Sequence, residues 1–440
     1  MVNRCFWWAA CVMAGCLAAC AARAQQGPAV VAPVPAAMAA SAVASPAPVP
    51  LAEALHAAWQ RAVSAREAEG QRRQADAEQA AAARWWAAPP ALELRHRDDR
   101  WQTAAGRRET EAGVVWPLWL PGQRSATGAV AEAAVASAQA HQHAARLALA
   151  GQVRETAWHL AEQEAHWAQS RAQAGLLQRL AGDVQRRVRA GDLAPVDALA
   201  AQAEALAAAT QAAQARQRVK AALAQWTELT GLVVPAALPA ADPAPQAVEP
   251  GPEAAADPPF SVLLDTHPEA QLAQWRLAHA ERRLALVQAA HRDAPELSLA
   301  WRQDQPGQGQ PRQHSTALGL RLPLGTADRN QPRLAAALSE VDIAHTTGQR
   351  VRERLAAQAA LARDAVQAAT AQAAQEAERA HLLRERAALL DRAFQAGEGA
   401  LPELLRALTA AAQAELAAAR SQAALGLARA RLQQASGQLP

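Results

Sequence analysis

Residues 189–199 read RAGDLAPVDAL and residues 395–405 read QAGEGALPELL. Each places Ala-Gly and an acid a few residues ahead of a proline, then a second acid (Asp197 or Glu403) and a leucine two positions on (Leu199 or Leu405). Each also ends a very long run without proline, Gly122 to Ala194 in the first case and Arg333 to Leu401 in the second. At about 1.5 Å per residue, roughly 65 helical residues reach about 100 Å, more than an ordinary globular domain spans. The glycine turns break these helices, and second helices follow over Val196 to Thr230 and Glu403 to Gln434. Short turns between long amphipathic helices make antiparallel hairpins, so Gly191 and Gly397 mark two hairpin tips.

Working outward, the two hairpins belong to an internal repeat with a shift of about 206 positions. Pro117-Leu118 meets Pro323-Leu324, Gln123-Arg124 meets Arg329-Asn330, and Ala190-Gly191-Asp192 meets Ala396-Gly397-Glu398. Ahead of each long helix lie two runs with period two. Leu92 and Leu94 alternate with Glu93 and Arg95, and Leu297, Leu299 and Trp301 alternate with Ser298, Ala300 and Arg302. Returning partners are expected over Thr110–Leu118 and Ser315–Leu322, joined by polar loops. A helix precedes each strand pair: Leu51 to Ala88 in the first copy and His267 to His291 in the second, where Thr266 and Glu269 have capping-box spacing. Leu177, Leu180, Val184 and Val188, with Leu383, Leu390 and Phe394, form a coiled-coil stripe on the long helices. Leu199, Leu206, Leu223 and Trp226 are its expected counterpart on the first returning helix. The returning helices are about half as long as the descending ones, so the upper part of each long helix must pack on something else.

Alanine dominates, tyrosine is absent, and 44 basic residues nearly balance 41 acidic ones, interspersed rather than in blocks. This is the vocabulary of long helices, and it speaks against nucleic acid as a partner. The four cysteines all fall within the first twenty residues, leaving the body without a disulfide framework or thiolate metal site. Residues 1–24 read as a signal peptide, with two competing processing sites. Leu17-Ala18-Ala19-Cys20 has the lipoprotein pattern, with Cys20 the lipidation candidate, and Ala22-Arg23-Ala24 suits ordinary cleavage. A Pro/Ala-rich tether (25–50), a first repeat (51–232), a Pro-rich linker (233–260) and a second repeat (261–440) follow. No later segment has eighteen uninterrupted apolar residues, so a membrane would have to be crossed by strands.

Four short strands cannot close a barrel and an open edge is not tolerated in lipid, so closure requires further copies; three copies of four strands give twelve. At this point the chain resembles the TolC-like outer-membrane factors of tripartite efflux and secretion systems, over Leu51 to Gly437 and in both repeats. The resemblance implies a mainly α fold with a small β part: a trimeric twelve-stranded barrel in the outer membrane, continued into the periplasm by a helical barrel of coiled-coil hairpins. It implies a homotrimer, a periplasmic membrane-fusion adaptor, an inner-membrane RND-type pump and outer-membrane lipid as partners, no cofactor, and conduit and gate in place of catalysis. The adaptor-docking tips would be Arg189, Gly191, Asp192, Asp197, Leu199, Gly397, Glu398, Glu403 and Leu405. Asp197 and Glu403 are gate candidates, as rings of carboxylates, with Arg406 standing where the family often has another acid and forming a candidate latch to Glu403. The family's tip carries an aromatic three residues before the glycine, and none is expected at either tip here. The strand-to-helix junctions Pro121, Gly122 and Arg124, and Asp328, Arg329 and Asn330, are similar to those of the CzcC-like, heavy-metal cation efflux branch.

The twelve histidines carry no metal-site spacing. His141 and His143 point in different directions on a helix, and His159 and His166 lie two turns apart, so solvated helix-surface histidines are the simpler reading. Trp85, Trp86, Trp116 and Trp119 flank the strands and suit a membrane interface, and Trp158, Trp167, Trp226 and Trp275 suit packing between helices. The charged stripe Arg350 to Arg354 reads as a wet helix face. Gly-x-Ser-x-Gly, phosphate-binding glycine loops and His-Glu-x-x-His are absent, so no catalytic role is expected. A drug-efflux or type I secretion duct shares the fold. A periplasmic coiled-coil adaptor or scaffold is the rival of another class; an adaptor would need a strand-rich insert in its hairpin, and a scaffold would not need two matched strand pairs.

Overall fold

The computed structural model describes residues 48–101, 104–238 and 265–440; the signal peptide, Cys20 and most of the tether and linker lie outside them. In chain order the elements are β1 (Val49–Pro50), α1 (Leu51–Arg61), α2 (Val63–Ala82), β2 (Ala91–Asp98), β3 (Arg108–Pro117), α3 (Gln123–Ala190) and α4 (Pro195–Thr230). Then come β4 (Ala236–Ala237), α5 (Pro268–Ala289), β5 (Glu296–Gln305), β6 (Gln313–Arg321), α6 (Ala327–Gln395) and α7 (Leu401–Ala435). The repeat is visible throughout: α2, β2, β3, α3 and α4 recur as α5, β5, β6, α6 and α7.

β2, β3, β5 and β6 form one antiparallel sheet in that order, leaving β2 and β6 as its edges. Directly opposed residues share a face, and the register places apolar residues together: Leu92, Val114, Leu299 and Leu318 in one row, Trp116, Leu297 and Leu320 nearby. The other face carries Arg95, Glu111, Arg302 and Ser315 in one row and Arg97, Glu109, Asp304 and Gln313 in the next. On that face Arg302 reaches Glu109 at 2.9 Å, and Arg321 reaches Glu296 at 3.3 Å. The apolar face has no cover within the chain: Leu92, Leu94 and Leu318 are 70%, 71% and 75% exposed.

Below the sheet the helices lie side by side. Near the strands, α2 packs on α3, α3 on α5 and α5 on α6; towards the tips, α4 packs on α3, α3 on α7 and α7 on α6. This answers what the upper half of each long helix packs against: α2 and α5 replace the returning helices there. Among the described residues no helix is long and apolar enough to cross a membrane.

The seam between helices differs from the expected leucine stripe. On α4 the buried positions are Ala201, Ala208, Ala215 and Ala222, one every seven residues; α2 repeats this with Ala68, Ala75 and Ala82, and α6 with Ala373, Ala380 and Ala387 ahead of Phe394. Alanine at heptad spacing seals a seam by close backbone approach, with little side-chain entropy to lose. Leu177 and Val184 are buried as expected, but Leu199 and Leu206 are 68% and 63% exposed, because the alanine stripe takes the inner face of α4 and turns its leucines outward.

Three element boundaries also differ from the sequence reading. The helix expected over Leu51–Ala88 is two helices ending at Ala82, broken at Ala62, which is extended (φ −67°, ψ 136°). Ala62 is the repeat counterpart of the residue before α5, so α2 matches α5, and α1 packs on α3 and α4 around Trp226. Thr266 is not the cap of α5: His267 is, its Nδ1 accepting the Glu269 backbone N–H at 3.2 Å. The second long helix begins at Ala327, not Arg333, and runs through Pro332. Asn330 holds this first stretch by donating to the His291 carbonyl, and Arg329 lies 3.9 Å from Asp293.

Midway along the layer the chain is tied to itself. β1 pairs parallel with β4, fastening the start of the first repeat to the exit of α4. Arg154 of α3, 2% exposed, donates to the Gln434 side chain at 2.7 Å and to the Gln438 carbonyl at 2.9 Å, while Gln434 donates to the Leu147 carbonyl. The stripe from Arg350 is more than a wet face: Arg352 and Arg354 of α6 reach Asp265 and Glu269 at the start of α5. Gly426 of α7 lies against Trp158, and a Cβ there would fall inside the indole.

Candidate functional site

The candidate site is the architecture itself: two sheet edges, two corners where strand becomes helix, and two tips. At the first corner Gly122 has φ +77°, a left-handed conformation that favours glycine, and the Leu120 N–H donates to the Gln123 side chain at 3.0 Å. Arg124 then donates to the Ala83 carbonyl at 3.0 Å and Trp119 to the Arg84 carbonyl at 3.2 Å. At the second corner Asn330, the repeat counterpart of Arg124, does the equivalent job on the His291 carbonyl. Ala83 is the C-cap of α2 and His291 directly follows the C-cap of α5, so both bonds satisfy a carbonyl where the preceding helix has just ended. Asp328 sits in the first turn of α6, where a carboxylate favours the helix dipole. Pro121 directly precedes Gly122. Above the first corner Trp86 and Trp116 lie 6.2 Å apart at the base of the sheet, and Trp301 stacks on His314 at 5.4 Å towards its far end.

Both tips are built alike. Gly191 and Gly397 have φ +89° and +79°, with Asp192 N–H bonded to the Arg187 carbonyl at 2.9 Å and Glu398 N–H to the Ala393 carbonyl at 3.0 Å. These 6→1 bonds satisfy the last carbonyls of the long helices. Asp197 accepts the Ala194 N–H at 3.3 Å and so closes the start of α4. Glu403 is exposed at the same place on α7, and Arg406 donates to the Pro402 carbonyl at 3.1 Å; among the described residues no ion pair within the chain joins Arg406 to Glu403. Arg189, Asp192 and Glu398 are exposed.

The expectation that neither tip carries an aromatic fails at the second. Phe394 stands three residues before Gly397, is 3% exposed, and packs with Leu177, Val184, Leu401 and Leu404 in a cluster shared by both hairpins. Arg187 of the first hairpin lies over its ring at 5.0 Å, donates to its carbonyl at 3.1 Å and pairs with Asp183 at 3.1 Å. The aromatic-x-x-Gly spacing of Phe394 and Gly397 was the signal that could have found it.

Of the histidines, His267 is buried, and burial holds its imidazole below the usual value; His166 is held low by burial and by Arg420 and Arg218. Among the described residues no group of three or more His, Cys, Asp or Glu is placed to hold a metal ion. Trp158 and Trp226 pack between helices, while Trp275 is 44% exposed.

No protein-family model and no curated protein matches the chain in sequence. Solved structures do match it in shape. The outer membrane protein VceC of Vibrio cholerae superposes with a TM-score of 0.69 at 16% identity, over 88% of this chain and 96% of that one. The CmeC outer membrane channel of Campylobacter jejuni gives 0.68 at 14%, over 88% and 85%. The MtrE outer membrane channel of Neisseria gonorrhoeae, in its open state, gives 0.67 at 17%, over 88% and 89%. At such identities the likeness speaks for the fold, and with the four-stranded open sheet, the paired corners and the two helical hairpins it establishes that the chain has the fold of TolC-like outer-membrane channels.

Proposed function

We propose that the chain is the outer-membrane channel component of a tripartite RND-type efflux system, a homotrimer that extends into the periplasm and catalyses no reaction. The observation that carries this reading is the pair of open edges. One edge of the protomer is β2, α2 and α4; the other is β6 and α6. Exposed apolar side chains stand on both: Val63, Val196, Leu199 and Leu206 on the first, Ile343, Leu361, Leu382 and Leu389 on the second. Edges that differ but complement each other join head to tail and close into a ring. Because β2 and β6 are antiparallel in sense, the β6 edge of one copy continues the β2 edge of the next in the same alternating pattern, and three copies give an even-stranded barrel. Strands of 8 to 10 residues suit the roughly 9–11 that a tilted transmembrane strand needs.

In this assembly the apolar sheet face meets lipid, and the face with Arg95, Glu111 and Arg302 lines water. The helices continue the pore, and the tips around Gly191 and Gly397 meet a periplasmic adaptor that links them to an inner-membrane pump. Glu403 supplies the carboxylate ring at the entrance, since its side chain is exposed while Asp197 is engaged in its own helix cap. Arg406 is placed to latch Glu403 of a neighbouring copy. The cargo is divalent heavy-metal cations, supported by the junctions at Arg124 and Asp328-Arg329-Asn330; drug efflux or type I secretion is the alternative. The matched strand pairs and the bare hairpin turns speak against a periplasmic adaptor or scaffold.

Fractionation and unboiled gels test the channel: a heat-sensitive trimer in the outer membrane is expected, and a soluble periplasmic monomer overturns the reading. Growth of a deletion strain on zinc, cobalt, cadmium, nickel and copper against a drug panel tests the cargo, with metal sensitivity expected. Unchanged bilayer conductance in both Glu403→Ala and Arg406→Ala would remove their gate roles.

A further inference from the structure

Between the tips and the midline, α3, α4 and α7 part around a cavity of about 320 Å³. Arg218 enters it from α4 and Arg420 from α7, while His166 and Ser170 of α3 line the third side. Some arginines on these helices find a carboxylate: Arg186 and Arg187 pair with Asp183, and Arg431 with Glu155. Arg218 and Arg420 make no ion pair among the described residues, although they converge on one space. Their charge is felt there, since after burial the fields of Arg420 and Arg218 do most to keep His166 neutral. Ser170 is 8% exposed with its hydroxyl free to donate, and Gln211 adds an amide; Glu204 is the one carboxylate on the lining. On the lining itself two guanidinium groups stand against one carboxylate, with Glu162 acting on His166 in the opposite sense from outside it, and guanidinium offers only donors.

We propose that this cavity binds a small oxyanion of the phosphate or sulfate class, held by Arg218 and Arg420 with Ser170 as a third donor. A tetrahedral oxyanion presents acceptors in several directions and can meet donors from three helices at once, with the planar guanidinium fork matched to its edge. Because α4 belongs to the first hairpin and α7 to the second, the bound anion bridges the two hairpins and favours the arrangement in which they lie together.

The test is calorimetric titration of inorganic phosphate, and separately of sulfate, into the full-length protein in detergent, with chloride holding ionic strength constant. Saturable binding is expected, weakened about tenfold or more in Arg420→Gln and Arg218→Gln and lost in the double variant. The melting temperature of the wild type should rise with phosphate and that of the double variant should not. Arg216→Gln, an exposed arginine on the same helix, is the charge control. No saturable binding, or equal weakening by Arg216→Gln, overturns the proposal. Because both arginines are exposed, helix content and trimer should survive the substitutions. The measurement is equilibrium binding on purified protein, so it stands apart from whether the assembly conducts.

Discussion

Leu199 and Leu405 occupy the same place in the two repeats, each two residues past the acid that opens a returning helix, yet Leu199 is 68% exposed and Leu405 8%. The local sequences are close, so the difference comes from position in the layer. α7 lies between α3 and α6 and is covered on both flanks along its length, whereas α4 packs along α3 and meets α1 only at its far end and α7 only slightly. The same contrast runs through the tips: Leu404 is 1% exposed, and Phe394 is buried under Arg187, whereas Val188 is only partly buried and Val196 is 65% exposed. Duplication copied one pattern into two surroundings, and the copy at the edge kept apolar side chains that are exposed among the described residues.

The largest effect should come from the side chain that most distinguishes the two tips. Phe394→Ala removes a buried ring at the meeting of both hairpins and should cost about 3–5 kcal/mol, while Val188→Ala should cost about 1 kcal/mol. Denaturant unfolding followed by helical circular dichroism measures both, and similar losses would mean that the two tips are packed alike after all.

Leu405→Ala against Leu199→Ala is the next comparison. Within one chain the first should cost about 2–4 kcal/mol and the second less than about 0.5 kcal/mol. Leu199→Ala should instead lower the heat resistance of the proposed trimer on gels, because in that assembly its loss falls on the contact between copies. An unchanged trimer would show that the α4 edge does not meet a neighbour.

The contrast also explains what the sequence reveals and what it hides. The repeat, the two strand pairs, the long helices and both glycine turns are legible because each has its own local signal: a period of two, a proline-free run, or a glycine where φ must be positive. Leu199 and Leu206 were misassigned because a heptad of leucines and a heptad of alanines run along the same helix, and hydrophobicity favours the leucines although the alanines take the seam. The break at Ala62 has no glycine or proline to announce it and shows only in alignment with His267. Of the site, the junctions carry a readable motif, but that Arg124 and Asn330 both bond a carbonyl just past the preceding helix depends on where α2 and α5 end. The pairing of Arg187 with Phe394 joins residues 207 apart, which no local pattern encodes.

A feature shared by both tips should respond equally in each. Gly191 and Gly397 have positive φ and open space where a Cβ would stand, so Gly191→Ala and Gly397→Ala should each cost about 1–2 kcal/mol from backbone strain alone. Melting temperatures of the two variants should shift alike, and a much larger shift in one would reveal a contact that only that tip makes.

The smallest effect concerns the start of α5 against the start of α2. Both begin after an extended residue with nearly the same backbone angles, but Ala62 has no side-chain cap and His267 uses its unprotonated Nδ1 to accept the Glu269 N–H. Burial holds the His267 imidazole below its usual value, with Arg354 acting in the same direction, while Glu269 and the Gln434 backbone pull the other way. The unfolded chain therefore takes up the proton at higher pH than the folded one, and the unfolded state is favoured as it does so. The cap's contribution is present above about pH 6.5, the unfolded value, and declines as pH falls below it towards the folded one. His267→Asn keeps an N-capping acceptor without the titration, so it should remove that part of the acid destabilisation at a cost of less than about 1 kcal/mol at neutral pH. Melting curves of the two proteins between neutral and mildly acidic pH should then converge as the pH falls, and curves that stay parallel would show that His267 does not titrate on unfolding.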